Sequence, residues 1–362
     1  MSSNLPQSSV DRENPWPGLA TFTEAQRAFF HGRDEEIREL TRRLERKTLT
    51  VLFGQSGLGK SSLLQAGVFP RLRSAGYCPI YVRLDHSPDA LPLAEQIKPT
   101  VTAATSLMGV WSQGGVAVAG ESLWEYFHHR DDILRGGSGQ LLIPLLVFDQ
   151  FEELFTLGAA ADSTRARAQA FLTELADLVE NRPPASFEAR LDAGTVDAEK
   201  FDFTRSDYRV LISLREDYLP HLESLKGAMP SLMQNRLRLK RLSGTQALEA
   251  VVNPAPGLVT EDVARAIVTF VSGRTDLTQA EVEPSLLSLV CRELNHRRQA
   301  VGATAIDAAL LDGSRETILV EFYERTLADQ PDAVRHFIED ELLTDSGYRE
   351  NIALERAQKL LA

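Results

Sequence analysis

The segment Gly54-Gln55-Ser56-Gly57-Leu58-Gly59-Lys60-Ser61-Ser62 has the form G-x-x-x-x-G-K-[ST], which is typical of a phosphate-binding loop. Glycines let backbone N–H groups turn inward around a polyphosphate, Lys60 brings a positive charge to the outer phosphates, and the Ser61 hydroxyl can ligate Mg²⁺. The β-branched, apolar run 48–53 predicts a buried strand. Residues 61–66 predict the first turns of a helix whose positive N-terminus faces the anion. We therefore expect residues 54–62 to bind a nucleotide.

The chain has 362 residues, a hydrophobic fraction of 43% and a formal net charge of −12. This acidic balance argues against a uniformly basic nucleic-acid surface. Cys78 and Cys291 lie far apart and match no metal-ligand spacing, which predicts two reduced thiols in a cytoplasmic protein. No apolar run approaches the ~18 residues of a membrane span, and residues 1–13 lack the apolar core of a signal peptide. We expect no membrane association and a disordered lead-in at 1–13.

Apolar runs at 80–85, 141–148 and 209–214 predict further buried strands, and alternation of leucine with arginine over 236–242 predicts a short edge strand. Helical patterns separate these strands, for example over 164–180. Alternation of this kind predicts an α/β fold, a parallel sheet with helices on both faces.

From residue 243 onward, strand runs give way to helical periodicity. The predicted helices are 245–252, 260–272, 284–299, 307–327 and 333–343. The sequence thus predicts a nucleotide-binding α/β domain over 14–242 and an all-α helical domain over 243–330.

The predicted strand before Asp149 gives the Walker B pattern, which places a carboxylate beside the phosphate loop. Asp149 would hold Mg²⁺, directly or through water, next to Ser61. Hydrolysis also needs a carboxylate that orients and deprotonates water. Gln150 cannot do this, whereas Glu152 and Glu153 can if the chain turns one of them toward the γ-phosphate. The alternative is a solvated acidic helix start, which the helix dipole favours by itself.

Arg215 follows the predicted strand 209–214. The C-terminal ends of parallel strands open onto one crevice, so Arg215 is placed to sense the γ-phosphate. The alternative is a surface arginine that pairs with Glu216 or Asp217.

Other candidate sites are weaker. No [NT]-K-x-D guanine-reading motif occurs in the sequence, which favours adenine. His128 and His129 lack partner ligands at metal spacing and are expected on a surface helix. The basic residues of 236–241 could touch nucleic acid, but one solvated face of an edge strand explains them as well.

With these motifs in place, the chain resembles the STAND-type P-loop ATPases, in particular the novel bacterial STAND group related to NACHT and apoptotic-ATPase proteins. The resemblance covers about residues 14–362. Its motif segments are 14–19 with 29–33, 54–62, 147–155 and 214–219. It implies that Gly32 and Arg33 lie near adenine and that Pro254 contacts the nucleotide from the helical domain. It also implies that residues 331–362 begin a winged-helix domain.

The same resemblance implies a slow ATPase that acts as a signalling switch. ADP would hold the two domains closed, ATP would replace it after a trigger, and the open form would oligomerise in signalling, defence or regulated cell death. The implied ligands are ATP, ADP and Mg²⁺. Family members usually carry a winged-helix histidine, an effector domain and a repeat-built sensor. The chain lacks these, so we expect it to be part of a larger protein.

Two other functions stay open at this point. A motor or loader ATPase acting on nucleic acid would predict a basic channel and fast turnover. A scaffold that binds ADP without hydrolysing ATP would suit Gln150, which stands directly after Asp149.

Overall fold

The computed structural model describes residues 10–87, 89–107, 111–113, 120–131, 133–157, 162–313 and 317–342, with isolated positions at 352, 357 and 360–361. The strands are β1 (Leu49–Gly54), β2 (Tyr77–Val82), β3 (Trp111–Gln113), β4 (Ile133–Arg135), β5 (Leu141–Phe148), β6 (Arg209–Arg215), β7 (Arg236–Arg238), β8 (Leu242–Ser243) and β9 (Glu281–Val282).

Helices connect the strands in the first two thirds of the chain and dominate the rest. They are α1 (Asp34–Arg46), α2 (Lys60–Ser62), α3 (Phe69–Ser74), α4 (Ile97–Leu107), α5 (Leu123–His128), α6 (Glu153–Leu157), α7 (Asp162–Val179), α8 (Ala185–Asp192), α9 (Leu219–Glu223), α10 (Gly244–Val252), α11 (Glu261–Ser272), α12 (Pro284–Ala300), α13 (Ala308–Asp312), α14 (Ile318–Leu327) and α15 (Asp332–Glu341). A π-helical stretch, Leu63–Val68, joins α2 to α3. None of the helices in the described part of the chain is both long and apolar enough to cross a membrane.

The core of the large sheet is parallel, with the strand order β2-β5-β6-β1-β7. The short strands β3 and β4 extend it with antiparallel pairing at the beginning of β5. Because the core strands are parallel, their C-terminal ends meet at one edge. The phosphate-binding loop, Asp149 and Arg215 therefore lie at the same edge, at the ends of β1, β5 and β6.

Successive side chains of the central strands pack on opposite faces of the sheet, and both faces are buried. Val51 and Leu146 belong to one hydrophobic cluster, which α7 helps to cover. Leu52 and Val147 belong to a second cluster, together with Leu40 of α1. The predicted α/β fold, a parallel sheet with helices on both faces, is confirmed.

A third cluster forms the core of the helical region, which we define as residues 243–327. Apolar side chains of α10, α11 and α12 meet there, including Val251, Ile267 and Leu294. Trp16 from the N-terminal end of the described chain is buried in the same cluster. The strands β8 and β9 pair beside these helices, a small antiparallel sheet that the sequence did not predict.

The structure corrects several local predictions. The second strand occupies Tyr77–Val82 rather than 80–85, because its pairing with β5 ends at Val82 opposite Phe148. The segment 307–327 forms two helices, α13 and α14, instead of one. Between α7 and β6 lies the short helix α8, which no sequence pattern predicted.

His128 is also placed differently from its prediction on a surface helix. It is fully buried and stacks on Trp124 at 4.1 Å between ring centroids. Burial lowers its pKa, and hydrogen bonds to the Trp124 carbonyl and the Asn181 side chain oppose that shift. The predicted domain boundaries stay predictions, and most of the expected winged-helix segment lies outside the described residues.

Candidate nucleotide-binding site

The phosphate-binding loop joins β1 to α2, as the pattern predicts. Gly57 and Gly59 both adopt left-handed backbone angles, with φ of +78° and +79°. L side chains rarely adopt this conformation, so the loop requires glycine at these two positions. A Cβ at Gly59 would meet no atom within 4 Å, whereas one at Gly57 would lie 2.7 Å from side-chain atoms of Glu283 and Ser285. The loop is therefore open at Gly59 and packed against the helical region at Gly57.

Lys60 lies at the centre of this loop. Its Nζ donates hydrogen bonds to the carbonyl oxygens of Gly54 at 2.9 Å and Gln55 at 3.0 Å. Burial lowers the pKa of Lys60, and the carboxylates of Glu152 and Asp149 oppose that shift. The cation is thus held in the loop next to two acids.

The Asp149 carboxylate accepts hydrogen bonds from three directions. Its Oδ2 accepts from the Ser61 hydroxyl at 2.5 Å and from the Tyr81 hydroxyl at 2.6 Å. Its Oδ1 accepts from the backbone N–H of Gln150 at 3.0 Å. The structure brings together the two residues predicted to hold a metal, Ser61 and Asp149.

The chain turns sharply after Asp149. Gln150 has a φ of +57°, uncommon for a residue other than glycine. The N–H of the next residue, Phe151, then donates to the Ser213 carbonyl of β6. This turn brings Glu152 and Glu153 to the crevice at the strand ends, where both line the same cavity.

Glu152 is the more firmly placed of the two predicted bases. Its Oε2 accepts a hydrogen bond from the backbone N–H of Arg215 at 3.2 Å, which ties it to the end of β6. Burial raises the pKa of Glu152, and hydrogen bonding together with the charge of Lys60 limits the rise. Glu153 begins α6, the acidic helix start that the sequence offered as an alternative.

Arg215 lies at the crevice, as a γ-phosphate sensor would, and also forms an ion pair like the predicted surface arginine. It lines the cavity at the end of β6. Its guanidinium also pairs with Asp217 at 2.6 Å and lies 5.6 Å from the centre of the Tyr218 ring. A phosphate would therefore have to compete with Asp217 for this side chain.

The residues predicted near adenine have strong structural roles. Arg33 is 3% exposed, pairs with Glu36 at 2.7 Å and donates to the carbonyl oxygens of Leu58 and Lys240. It lines the cavity and links the phosphate-binding loop to the segment after β7. Gly32 lies against α10, since a Cβ there would come within 2.2 Å of the Gln246 carbonyl oxygen.

The cavity at this edge of the sheet has a volume of about 1640 Å³. Typical small-molecule sites measure roughly 300–1,000 Å³, so there is ample room for a nucleotide. The parts of the chain that line it include residues 16–22, the crevice at the strand ends, and the helical region. The helical region contributes Ala250, Pro284, Ser285, Leu287 and Ser288.

Pro254 is not among the described residues that line the cavity; it is buried elsewhere in the helical region. The proline that the helical region places at the cavity is Pro284, the first residue of α12. The nucleotide contact expected of Pro254 stays a prediction, and this geometry favours Pro284 for that contact.

The N-terminal segment 16–22 bridges the two halves of the site. Trp16 Nε1 donates to the Ala250 carbonyl of α10 at 3.2 Å, and Arg292 of α12 donates to the Pro17 carbonyl at 3.1 Å. At the other end of the segment, the Phe22 N–H donates to the Ser62 hydroxyl at 3.1 Å. This segment, which we call the strap, contacts both the phosphate-binding loop and the helical region.

A family model described as Novel STAND NTPase 1 matches residues 15–313, which include the strap, the loop, Asp149, Arg215 and α12. The chain belongs to this family. The STAND-type resemblance predicted from the motifs is confirmed, and the chain is a P-loop NTPase. No curated protein sequence matches it significantly.

Solved structures of similar fold include an ORC2 protein, a Cdc6p protein and a Walker-type ATPase. The ORC2 protein of Aeropyrum pernix, in ADPNP–ADP complexes, is 13% identical, with a TM-score of 0.50 over 91% of this chain and 84% of that one. Cdc6p of Pyrobaculum aerophilum is 14% identical, with a TM-score of 0.49 and the same coverage of 91% and 84%. A Walker-type ATPase of Pyrococcus abyssi is 17% identical, with a TM-score of 0.47 over 95% and 91%. At such identities the similarity concerns the fold alone.

The residues at the strand ends of this NTPase fit a magnesium nucleotide. An oxygen pair suited to Mg²⁺, Ser61 and Asp149, lies at one side of the loop, and the Lys60 cation lies at its centre. Gly59 leaves the loop open for the close approach of phosphate. Two further residues at the site, Tyr81 and Pro284, were not predicted from the sequence. The nearest signals were a tyrosine in the strand before Walker B and a proline opening a long helix.

Proposed function

We propose that this NTPase is an adenine-nucleotide switch, closed when ADP is bound and able to self-associate when ATP replaces it. The observation that carries the proposal is the cavity shared by the strap, the strand-end crevice and the helical region. A ligand in a cavity between parts of a chain stabilises the arrangement that it contacts on all sides. Binding would therefore hold the helical region against the sheet.

The chain also has residues suited to slow hydrolysis. Magnesium, when bound, neutralises part of the phosphate charge. Ser61 and Asp149 would hold it, Lys60 would bind the outer phosphates, and Arg215 would respond to the γ-phosphate after leaving Asp217. Glu152 would orient and deprotonate the attacking water, because it is fixed to β6 and has a raised pKa near the Lys60 charge.

The biological setting is proposed from the family alone. We propose a cytoplasmic protein of signalling, defence or regulated cell death, in which effector and sensor domains act with this NTPase. The net charge of −12 gives no support to a motor that tracks along nucleic acid.

Glu152→Gln tests the hydrolytic step. We expect ATP to stay bound while steady-state turnover falls by roughly 10²–10⁴, the usual contribution of a general base. Glu153→Gln is the matched control at the neighbouring position and should retain most of the turnover. The reverse order would assign the base to Glu153.

The nucleotide retained on purification and turnover with and without DNA test the switch as a whole. We expect retained ADP, slow turnover and no acceleration by DNA, with Lys60→Ala retaining no nucleotide. Fast turnover that DNA accelerates would support a motor instead. Retained ADP with no turnover under any condition would support a scaffold.

A further inference from the structure

Tyr81 is the least expected residue at the metal side of the site. Its hydroxyl donates to Asp149 Oδ2 at 2.6 Å, and the Ser61 hydroxyl donates to the same oxygen at 2.5 Å. With the Gln150 N–H on Oδ1, hydrogen bonds hold both carboxylate oxygens. The Asp149 side chain is therefore fixed by donors from β2, from the phosphate-binding loop and from its own backbone turn.

The sheet explains why Tyr81 reaches Asp149. Tyr81 pairs with Val147 in the parallel register of β2 and β5. Alternation of side chains along a strand places Val147 and the residue two positions later, Asp149, on the same face. The neighbours Ile80 and Val82 point to the opposite face and are buried there. Tyr81 stands partly exposed at the end of its strand, beside the carboxylate.

The hydrogen bonds form a chain of three groups in which Tyr81 orients Asp149 and Asp149 orients Ser61. A serine hydroxyl that gives its proton to Asp149 has its oxygen lone pairs free for a cation. Without the Tyr81 hydroxyl, Asp149 Oδ2 would accept a hydrogen bond from Ser61 but not from β2. The carboxylate could then rotate together with Ser61.

We propose that Tyr81 is a positioning residue of the metal site. Its hydroxyl fixes the Asp149 carboxylate and, through it, presents the Ser61 oxygen to the magnesium of a bound nucleotide. This inference rests on the proposed nucleotide function and adds a residue to it. Tyr81 acts through Asp149, so its effect on nucleotide binding depends on the metal.

Tyr81→Phe tests this role by calorimetric titration with ATP, once with excess Mg²⁺ and once with a chelator. Removing one charge-assisted hydrogen bond at a partly exposed site should reduce the gain in affinity from Mg²⁺ by about three- to tenfold. ATP affinity in the chelator should change less than about twofold, since phosphate contacts with the loop remain. Tyr323→Phe is a matched control, because Tyr323 donates to Glu339 at 2.6 Å and neither residue is among the described residues that line the cavity.

A double-mutant cycle separates positioning from a general structural role. In an Asp149→Ala background, Tyr81→Phe should cause no further loss of the Mg²⁺ effect, because both residues act through the same carboxylate. Equal losses with and without Mg²⁺, or additive losses in the cycle, would overturn the role of Tyr81. The wild-type titration serves as the reference. If the wild type binds ATP in a Mg²⁺-dependent way and Tyr81→Phe shows the same Mg²⁺ effect, the role of Tyr81 is refuted while the proposed function stands. Failure of the wild type to bind nucleotide refutes the proposed function as well.

Discussion

At the scale of single residues, the site places several charges in a partly buried crevice at the ends of the strands. Lys60, Asp149 and Glu152 influence one another there, and burial shifts the pKa of Lys60 down and that of Glu152 up. Such paired shifts are common where a protein must bind phosphate and activate water. They also affect stability, since a raised carboxyl pKa means that folding disfavours the charged form.

The raised pKa of Glu152 predicts a pH-dependent stability difference. A carboxyl group with a raised folded-state pKa contributes stability that is present at low pH and lost as pH rises through that pKa. Glu152→Gln removes this loss, so the variant should melt at a higher temperature than the wild type at pH 7, without nucleotide or Mg²⁺. The difference should shrink toward zero as pH falls to about 4, near the ordinary pKa of glutamate.

Glu188→Gln provides the control for this measurement, because Glu188 is exposed on α8. Its melting temperature should follow that of the wild type across the same pH range. A Glu152→Gln variant that is less stable than the wild type at pH 7 would mean that the carboxylate stabilises the fold. The hydrogen bond from the Arg215 N–H and the charge of Lys60 would then outweigh burial.

At the scale of elements, the phosphate-binding loop is in direct contact with the long helix α12 of the helical region. The Ser285 N–H donates to the Gly57 carbonyl at 3.3 Å, and the Ser285 hydroxyl donates to Glu283 at 2.8 Å. Glu283 is also 4.0 Å from Arg241, which follows β7. A change at Gly57 should therefore affect both the loop and its contact with α12.

Gly57→Ala and Gly59→Ala measure this contact as a pair. Both place an alanine in left-handed backbone, which costs on the order of 1 kcal/mol. Only at Gly57 would the new methyl group displace the Glu283 carboxylate and the Ser285 hydroxyl. Chemical denaturation without nucleotide should show Gly57→Ala to be less stable than Gly59→Ala by ~0.5–1.5 kcal/mol, the net value of one hydrogen bond. Equal losses would mean that the contact with α12 adds nothing to stability.

The elements also show what the sequence can predict. Apolar periodicity is a local property, so it predicted the central strands β1, β5 and β6, which the structure confirms. Strand order and register depend on long-range pairing, and they bring Tyr81 to Asp149. The sequence around Tyr81 contains no pattern that predicts its contact with Asp149.

The position of a proline relative to the cavity likewise depends on long-range packing. Pro254 was assigned from a resemblance in the helical region, where breaks between helices look alike in sequence. Only the packing of α12 against Gly57 shows that Pro284 lies at the cavity.

At the scale of the whole molecule, the strap and α12 connect the loop to the helical region independently of any ligand. A nucleotide would add a third connection in the cavity between them. Ligand binding to the native state stabilises it by RT ln(1 + [L]/Kd), about 2.7 kcal/mol at a hundredfold excess over Kd. ADP should therefore raise the melting temperature of the chain and slow hydrogen exchange on both sides of the cavity.

Hydrogen exchange measured by mass spectrometry tests this prediction element by element. We expect ADP to protect residues 54–62, the strap and residues 285–288 at the start of α12, since all three line or contact the cavity. Pro284 itself has no amide hydrogen, so the signal must come from the residues that follow it. Lys60→Ala is the control and should show no ADP-dependent protection in any of these segments. Stronger protection at 253–258 than at 285–288 would favour Pro254 over Pro284 as the nucleotide contact. Protection confined to 54–62 would show that the helical region does not close over the nucleotide, and the switch would lose its structural basis.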